Sequence, residues 1–257
     1  MQSITVVKVG GNELDDPAFL EGLCVVLATA GRPLILVHGG GKEITAALER
    51  YGQVSQFVEG LRITPPESMV VMEMVVCGSI NKRIVARLIG AGVAALGLSG
   101  VDLGLLRCEP QRPNGRDIGR VGLITQVATT ILAAFMTQGW LPVIAPVALG
   151  SADGLPYNVN ADQVAQSVAA ALGGTDGPGV EELVFISNVP GVIIGGGVVP
   201  VLTAPMIVAA IGDGTITGGM IPKVRAALAA LAAGVPATRI TNLAGFAAGG
   251  TRIIAGD

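Results

Sequence analysis

The sequence predicts an α/β fold in which a mainly parallel sheet is covered by helices on both faces, and three observations carry that reading. Short β-branched runs alternate with helix-length segments along the whole chain. At 51% hydrophobic and 14% charged residues, the composition is as apolar as strands buried on both faces require. Two of the β-branched runs end in glycine clusters that open helix-like stretches, Lys8-Val-Gly-Gly11 and His38-Gly-Gly-Gly41. Aromatics supply only 3%, so Ala, Val, Leu and Ile must make the core.

Val6, Val7 and Val9 place the first strand at 4–9, and a helix follows near 17–30. Leu34 to Val37 give strand 34–38, followed by a helix near 41–51. A long helical pattern near 65–90 precedes strand 93–98. Residues 105–124 read as short strands with polar turns; helix 126–138, strand 141–145 and helix 161–172 come next. Strand 183–187 and helix 222–233 follow, and a last strand pairing or edge is expected near 238–254. At 257 residues the chain can form one large domain or two tightly joined lobes, and GGTDGPG at 173–179 is the best candidate for the turn between lobes of about 1–172 and 173–257.

Two uncharged runs, 122–152 and 183–212, are long enough to span a bilayer. Polar residues and Gly139, Pro142 and Pro146 break the first into helix, turn and strand lengths. Asn188, Pro190, 195–197 and Pro200 break the second. With no visible signal peptide, a cytoplasmic chain with no membrane partner is expected. Cys24, Cys77 and Cys108 are odd in number and far apart, which fits reduced, packed thiols. The net charge of −3 is small and no basic stripe or interleaved aromatics suggest nucleic-acid binding, so no nucleic-acid partner is expected. His38 is the only histidine, so a histidine metal cluster is excluded, and a turn or packing role is expected for it.

A strand ending in glycines lets an oxygen approach backbone N–H groups, and the positive end of the following helix adds to the attraction. Two such turns beside Lys8 point to a polyphosphate. Neither a P-loop nor a dinucleotide fingerprint occurs. Asn158-Val-Asn-Ala-Asp162 lies just before a helix; Asn160 or Asp162 suffices as its N-cap, and three polar groups in five residues exceed that need. In Thr217-Gly-Gly-Met-Ile-Pro-Lys223 a lysine falls in the first turn of a helix, the unfavourable end of the dipole, unless an anion binds beside it.

These segments resemble the amino acid kinase family, most closely its N-acetylglutamate kinases. The resemblance is carried by KVGGN at 8–12, VHGGG at 37–41, GLRIT at 60–64, NKRIV at 81–85, NVNADQVA at 158–165, GGMIPKV at 218–224 and GTRI at 250–253, in that order over nearly the whole chain. It implies a three-layer αβα sandwich similar to carbamate kinase, with an acyl amino acid in the N-terminal lobe and ATP in the C-terminal lobe. The implied reaction is in-line phosphoryl transfer from ATP to the side-chain carboxylate of N-acetyl-L-glutamate, with positioning and charge neutralisation as the means.

By resemblance, Lys8 and Lys223 neutralise the phosphoryl group and Asp162 holds both lysines. Gly10, Gly11, Gly39, Gly40 and Gly41 bind phosphate. Gly40, Gly41, Arg62, Asn158 and Asn160 bind the acyl amino acid, Arg62 by clamping its α-carboxylate. The nucleotide is expected along Asn188, Val189, Gly191, Val192 and Ile193 and along Thr217, Gly218, Gly219, Met220 and Lys223. Mg²⁺ is expected to arrive with ATP, without a dedicated protein cage. Asn188 in SNVPG departs from the aspartate usual in acetylglutamate kinases; with GLSGVD at 97–102 it also resembles the aminoadipate kinases of lysine biosynthesis, whose substrate is acetylated or carrier-linked. A nucleotide-binding regulator without turnover is the alternative outside enzymes, and the retention of Lys8, Asp162 and Lys223 argues against it. The start of the chain close to strand 4–9 and the ending GTRIIAGD resemble arginine-insensitive members. A homodimer is expected through the 65–90 helix, where Met69, Met72, Met74 and Val75 are apolar.

Overall fold

A computed structural model describes residues 3–11, 13–174 and 179–256. The first part runs β1 (Ile4–Val9), α1 (Pro17–Ala28), β2 (Leu34–His38), α2 (Gly41–Arg50), β3 (Phe57–Val58), β4 (Leu61–Arg62), α3 (Pro66–Glu73), a π-helical segment (Met74–Ile80), α4 (Asn81–Gly90) and β5 (Ala95–Ser99). Then come β6 (Leu106–Pro110), β7 (Gly122–Val127), α5 (Thr129–Thr137), β8 (Leu141–Ala145), β9 (Val147–Gly150), β10 (Pro156–Asn158) and α6 (Ala161–Gly173). The last part contains β11 (Val180–Ile186), β12 (Ile193–Ile194), β13 (Gly197–Val198), β14 (Val201–Thr203), α7 (Ala204–Gly212), α8 (Met220–Ala232), β15 (Thr238–Thr241) and β16 (Thr251–Ile254).

An eight-stranded sheet, ordered β14-β16-β15-β11-β1-β2-β8-β5, forms the middle layer. All its pairings are parallel except β15 with β16. Side chains of a strand alternate between faces, and the core follows that parity. Ile4, Val6, Ile35 and Val37 pack with Val164 and Val168 of α6 and Val224 and Ala227 of α8. Val7, Val9, Leu34 and Leu36 pack on the other face with Leu20 and Leu23 of α1 and Ile84 and Leu88 of α4. The result is the expected αβα sandwich. Lys8 shares the parity of Ile4 and Val6, so it emerges on the α6 face at the carboxyl end of the central strand.

The departures from expectation are local. The long helix at 65–90 contains a π-helical segment, whose Val76 and Ile80 are buried against Gly40. Met69 and Met72 are buried within the chain, whereas Val70 and Met74 are exposed. β9 and β10 join β6 and β7 in a second sheet that was not anticipated. Neither was α7, whose N-cap Thr203 accepts from the Met206 amide. Four residues of the expected inter-lobe turn, 175–178, lie outside the described residues.

His38 ends β2 and is fully buried. Its Nδ1 lies 2.9 Å from the Gly39 carbonyl and its Nε2 lies 3.1 Å from Asn81 Nδ2, which also donates to the Val143 carbonyl at 2.9 Å. Nδ1 therefore donates and Nε2 accepts, so the imidazole is neutral and shapes the turn into the glycines. Burial is the main cause that pushes its pKa down to about 4 from 6.5. Within that window the unfolded chain binds a proton that the folded chain does not, so the stability present above pH 6.5 is lost as pH falls towards 4. The full loss is about 3 kcal/mol. Denaturation midpoints between pH 6.5 and 5.5, above the carboxylate range, should fall in the parent protein and hold level in His38→Gln. An equal fall in the variant would assign the acid sensitivity elsewhere.

Candidate active site

At the carboxyl ends of β1 and β2 the two glycine turns touch. A Cβ on Gly11 would lie 2.5 Å from the amide nitrogen of Gly40 and 2.7 Å from that of Gly41, and a Cβ on Gly39 would lie 3.0 Å from the Gly11 nitrogen. These are backbone atoms that cannot swing aside, so the close approach needs glycine. Gly40 is the N-cap of α2, and no side chain among the described residues caps that helix. Among the described residues none accepts a hydrogen bond from the Gly40 or Gly41 N–H. A Cβ on Gly41 would meet open space. The free N–H groups therefore border a cleft, as an anion site at a helix N-terminus requires.

Lys8 Nζ lies 2.7 Å from Asp162 Oδ1 in the first turn of α6. Asn160 caps the same helix, its Oδ1 accepting from the Asp162 and Gln163 amides at 2.8 and 3.4 Å. Two clefts meet at this ion pair. The first, of about 290 Å³, is lined by Gly10, Gly11, Gly39, Gly40, Gly41, Arg62, Asn158 and Asn160 as well as Lys8 and Asp162. The second, of about 200 Å³, contains Lys8, Gly10, Asp162, Glu13, Ser187 and Lys223. Both lysines thus face one junction. Among the described residues, however, Asp162 pairs with Lys8 alone: Lys223 Nζ folds back towards the Gly219 carbonyl, 3.4 Å away, at the start of its own helix. Among the described residues no side chain caps α8 either, and its first turn holds no acid.

Arg62 sits in the wall of the first cleft with 7% exposure. It lies over the Phe57 ring, 4.7 Å from the centroid, and donates through Nη2 to the Gly41 carbonyl at 3.0 Å and to Thr45 Oγ1 at 2.9 Å, and through Nη1 to Ser55 Oγ. Its Nε and the second Nη1 hydrogen have no acceptor among the described residues, nor does any carboxylate there pair with it. Burial lowers its pKa, but a guanidinium remains charged. A buried cation held by neutral acceptors is a site for an external anion. Asn158 reaches the same wall: its Nδ2 donates to Thr64 Oγ1 at 3.1 Å, and Thr64 Oγ1 donates to the Arg62 carbonyl at 2.8 Å.

The two expected nucleotide segments are less directly placed. Of these segments Pro222 and Lys223 line the second cleft, alongside Ser187, which directly precedes Asn188. The Val192 side chain is wholly buried in the core and its N–H donates to Thr251 Oγ1 at 2.8 Å, so it cannot offer a side-chain contact. Asn188 and Ile193 are exposed. Glu13, Ser187, Thr45, Ser55 and Phe57 were missed by the sequence reading; only Ser187, at the carboxyl end of β11, carried a signal. Among the described residues no three His, Cys, Asp or Glu side chains form a metal cage. The carboxylates of Asp162 and Glu13 in the cleft offer hard oxygen donors that suit Mg²⁺. A larger hollow of about 520 Å³ lies at the opposite, amino ends of β2, β5 and β8, around Leu34, Ala94 and Leu141. Neither the 10–11 nor the 39–41 glycine cluster lines it, nor does Lys8 or Lys223, and ligands in open α/β sheets bind at the carboxyl ends.

The sequence profile of the Amino acid kinase family matches residues 3–242. An acetylglutamate kinase of Chloroflexus aggregans is 62% identical over 254 residues, which cover 99% of this chain and 98% of that protein. Among solved structures, smu.665 from Streptococcus mutans UA159 has a TM-score of 0.81 at 29% identity, with complete coverage of both chains. Carbamate kinase from Giardia lamblia bound to AMP-PNP shares the fold, with a TM-score of 0.69 at 16% identity over 100% of this chain and 99% of that one.

Proposed function

This chain belongs to the amino acid kinase family, and from that premise we propose that it transfers the γ-phosphoryl group of ATP to the side-chain carboxylate of N-acetyl-L-glutamate, giving N-acetylglutamyl 5-phosphate and ADP in arginine biosynthesis. The observation that carries this reading is the meeting of two clefts at Lys8 and Asp162, one walled by a buried arginine without an acidic partner among the described residues. The similar acetylglutamate kinase supports the choice of substrate.

The acyl amino acid occupies the first cleft, its α-carboxylate on the remaining Arg62 donors and its amide near Asn158. The nucleotide extends from the second cleft towards α8. Two anions must then approach each other. Lys8 and Lys223 offset that repulsion from the two sides of the junction, and the Gly40 and Gly41 N–H groups face the transferring oxygens. Asp162 fixes the Lys8 ammonium and Asn160 fixes the turn that carries Asp162. A carboxylate acceptor is already deprotonated, so no general base is required. Glu13 and Asp162 would hold an Mg²⁺ that arrives with ATP, and the ion would supply further charge neutralisation on the phosphates. Among the described residues no helix is long and apolar enough to cross a membrane. Val70 and Met74, exposed on the 65–90 helix, support a homodimer whose mass light scattering would read.

Hydroxamate trapping of the acyl phosphate, with N-acetylglutamate run against N-acetylaminoadipate, tests the reaction and its substrate; turnover on the longer substrate alone would overturn the assignment. In the same assay Arg62→Ala should raise the KM for the acyl amino acid about 30-fold, the equivalent of about 2 kcal/mol of charge-assisted hydrogen bonding, and leave the KM for ATP nearly unchanged. A selective loss of ATP affinity would place Arg62 in the wrong cleft.

A further inference from the structure

The first turn of α2 contains a carboxylate that ought to interfere with the site. Gly40 is the N-cap and Glu43 the third residue of the helix. A glutamate at that position ordinarily reaches back to the N-cap N–H and satisfies it, in the arrangement known as a capping box. Here that N–H belongs to Gly40, in the cradle that a Cβ on Gly11 would fill. A self-capping Glu43 would occupy the donor and set a negative charge against an incoming phosphoryl group.

Glu43 does not cap. Arg83, on α4, takes both carboxylate oxygens, Nη1 donating to Oε2 at 3.1 Å and Nη2 to Oε1 at 2.5 Å. The same Nη2 donates to the Leu14 carbonyl at 3.3 Å, in the loop that follows Gly10 and Gly11. We propose that Arg83 is a positioning residue for phosphoryl transfer: by binding Glu43 bidentately it keeps the carboxylate out of its own capping box and leaves the Gly40 N–H to the reacting phosphoryl oxygens. This rests on the reading of the two glycine turns as the phosphoryl cradle. A separate ion pair, Lys42 Nζ to Asp15 Oδ2 at 2.6 Å, also ties α2 to that loop, so the tether survives loss of Arg83.

The test compares Arg83→Met, Glu43→Ala and the double variant with the parent. Arg83→Met should lower kcat about 10-fold, less than the 10²-fold or more of deleting an oxyanion donor because self-capping competes with the phosphoryl group and does not abolish the donor. The double variant should recover to within about 3-fold of Glu43→Ala alone, a non-additivity expected when the second change removes the cause of the first defect. Exchange of the Gly40 amide hydrogen, followed by NMR, should slow in Arg83→Met only. If the double variant stays as impaired as Arg83→Met, with Gly40 exchange unaltered, the pair is only a tether and the proposal fails. Should Arg83→Met not fold, Arg83→Lys, which loses the bidentate fork but keeps the charge, should show a weaker form of the same defect and the same rescue by Glu43→Ala; an unrescued defect there is equally fatal. Normal turnover in Gly11→Ala would instead refute the cradle itself.

Discussion

Lys8→Ala lowers kcat by about 10²-fold or more in the expected result, the scale of losing one preorganised donor to developing charge. The loss has two parts. The ammonium that faces both clefts disappears, and Asp162, now without its 2.7 Å partner, becomes an uncompensated negative charge where two anions must meet. The fold should persist, because Val6, Val7 and Val9 fill the two core faces and the Lys8 side chain emerges beyond them. Lys223→Ala should cost a similar factor in kcat, but it strands no carboxylate among the described residues, where Lys223 reaches towards the Gly219 carbonyl and pairs with no acid. Adding Asp162→Asn should therefore restore part of the activity lost in Lys8→Ala and none of that lost in Lys223→Ala. Steady-state kinetics on the four variants reads this directly, and turnover within threefold of the parent in Lys8→Ala would remove the lysine from the transfer step.

Gly11→Ala is expected to have the other large effect, and for a steric reason. The new methyl would stand 2.5 and 2.7 Å from the Gly40 and Gly41 nitrogens, so the two turns must separate. Overpacking of this kind costs about 1–3 kcal/mol of stability. The functional loss should be larger, about 10²-fold in kcat/KM for ATP, because the methyl fills the space where phosphoryl oxygens would meet those N–H groups. Gly90→Ala provides the control. It is helical, its Cβ would meet nothing within 4 Å, and alanine should leave activity unchanged and stabilise by up to about 1 kcal/mol. Thermal unfolding and ATP kinetics together separate the two; a Gly11→Ala enzyme with normal ATP kinetics would dismiss the cradle.

Much of this arrangement was legible in the sequence because it depends on parity and punctuation. The alternation through Ile4, Val6 and Lys8 sends the lysine to the face that α6 covers, and Asn160 with Asp162 at a helix start brings a carboxylate to it. The glycine clusters mark where two backbones approach. What the sequence could not show depends on side chains from distant segments. Ser55, Phe57, Thr45 and the Gly41 carbonyl together hold Arg62, and no local pattern joins them. Arg83 and Glu43 are 40 residues apart in the chain. α7 escaped because residues 201–212 are uncharged and offer no polar face against which a helical period would stand out. Of the expected grip of Asp162 on both lysines the structure forms the Lys8 half, while Lys223 turns towards the Gly219 carbonyl, a side-chain direction that spacing does not encode.

The continuity of the central sheet has a thermodynamic consequence. β1 and β11 pair from Ile4 to Val9, and one apolar layer unites Ile4, Val6 and Val37 with Leu183, Ile240 and Ile253. The sides proposed for the acyl amino acid and the nucleotide therefore share a backbone ladder and a core. Excising either half would expose an unpaired edge of a central strand and open that layer. The two sides are therefore expected to melt as a single cooperative unit, and a ligand gripped at either cleft should stabilise the scaffold of the other.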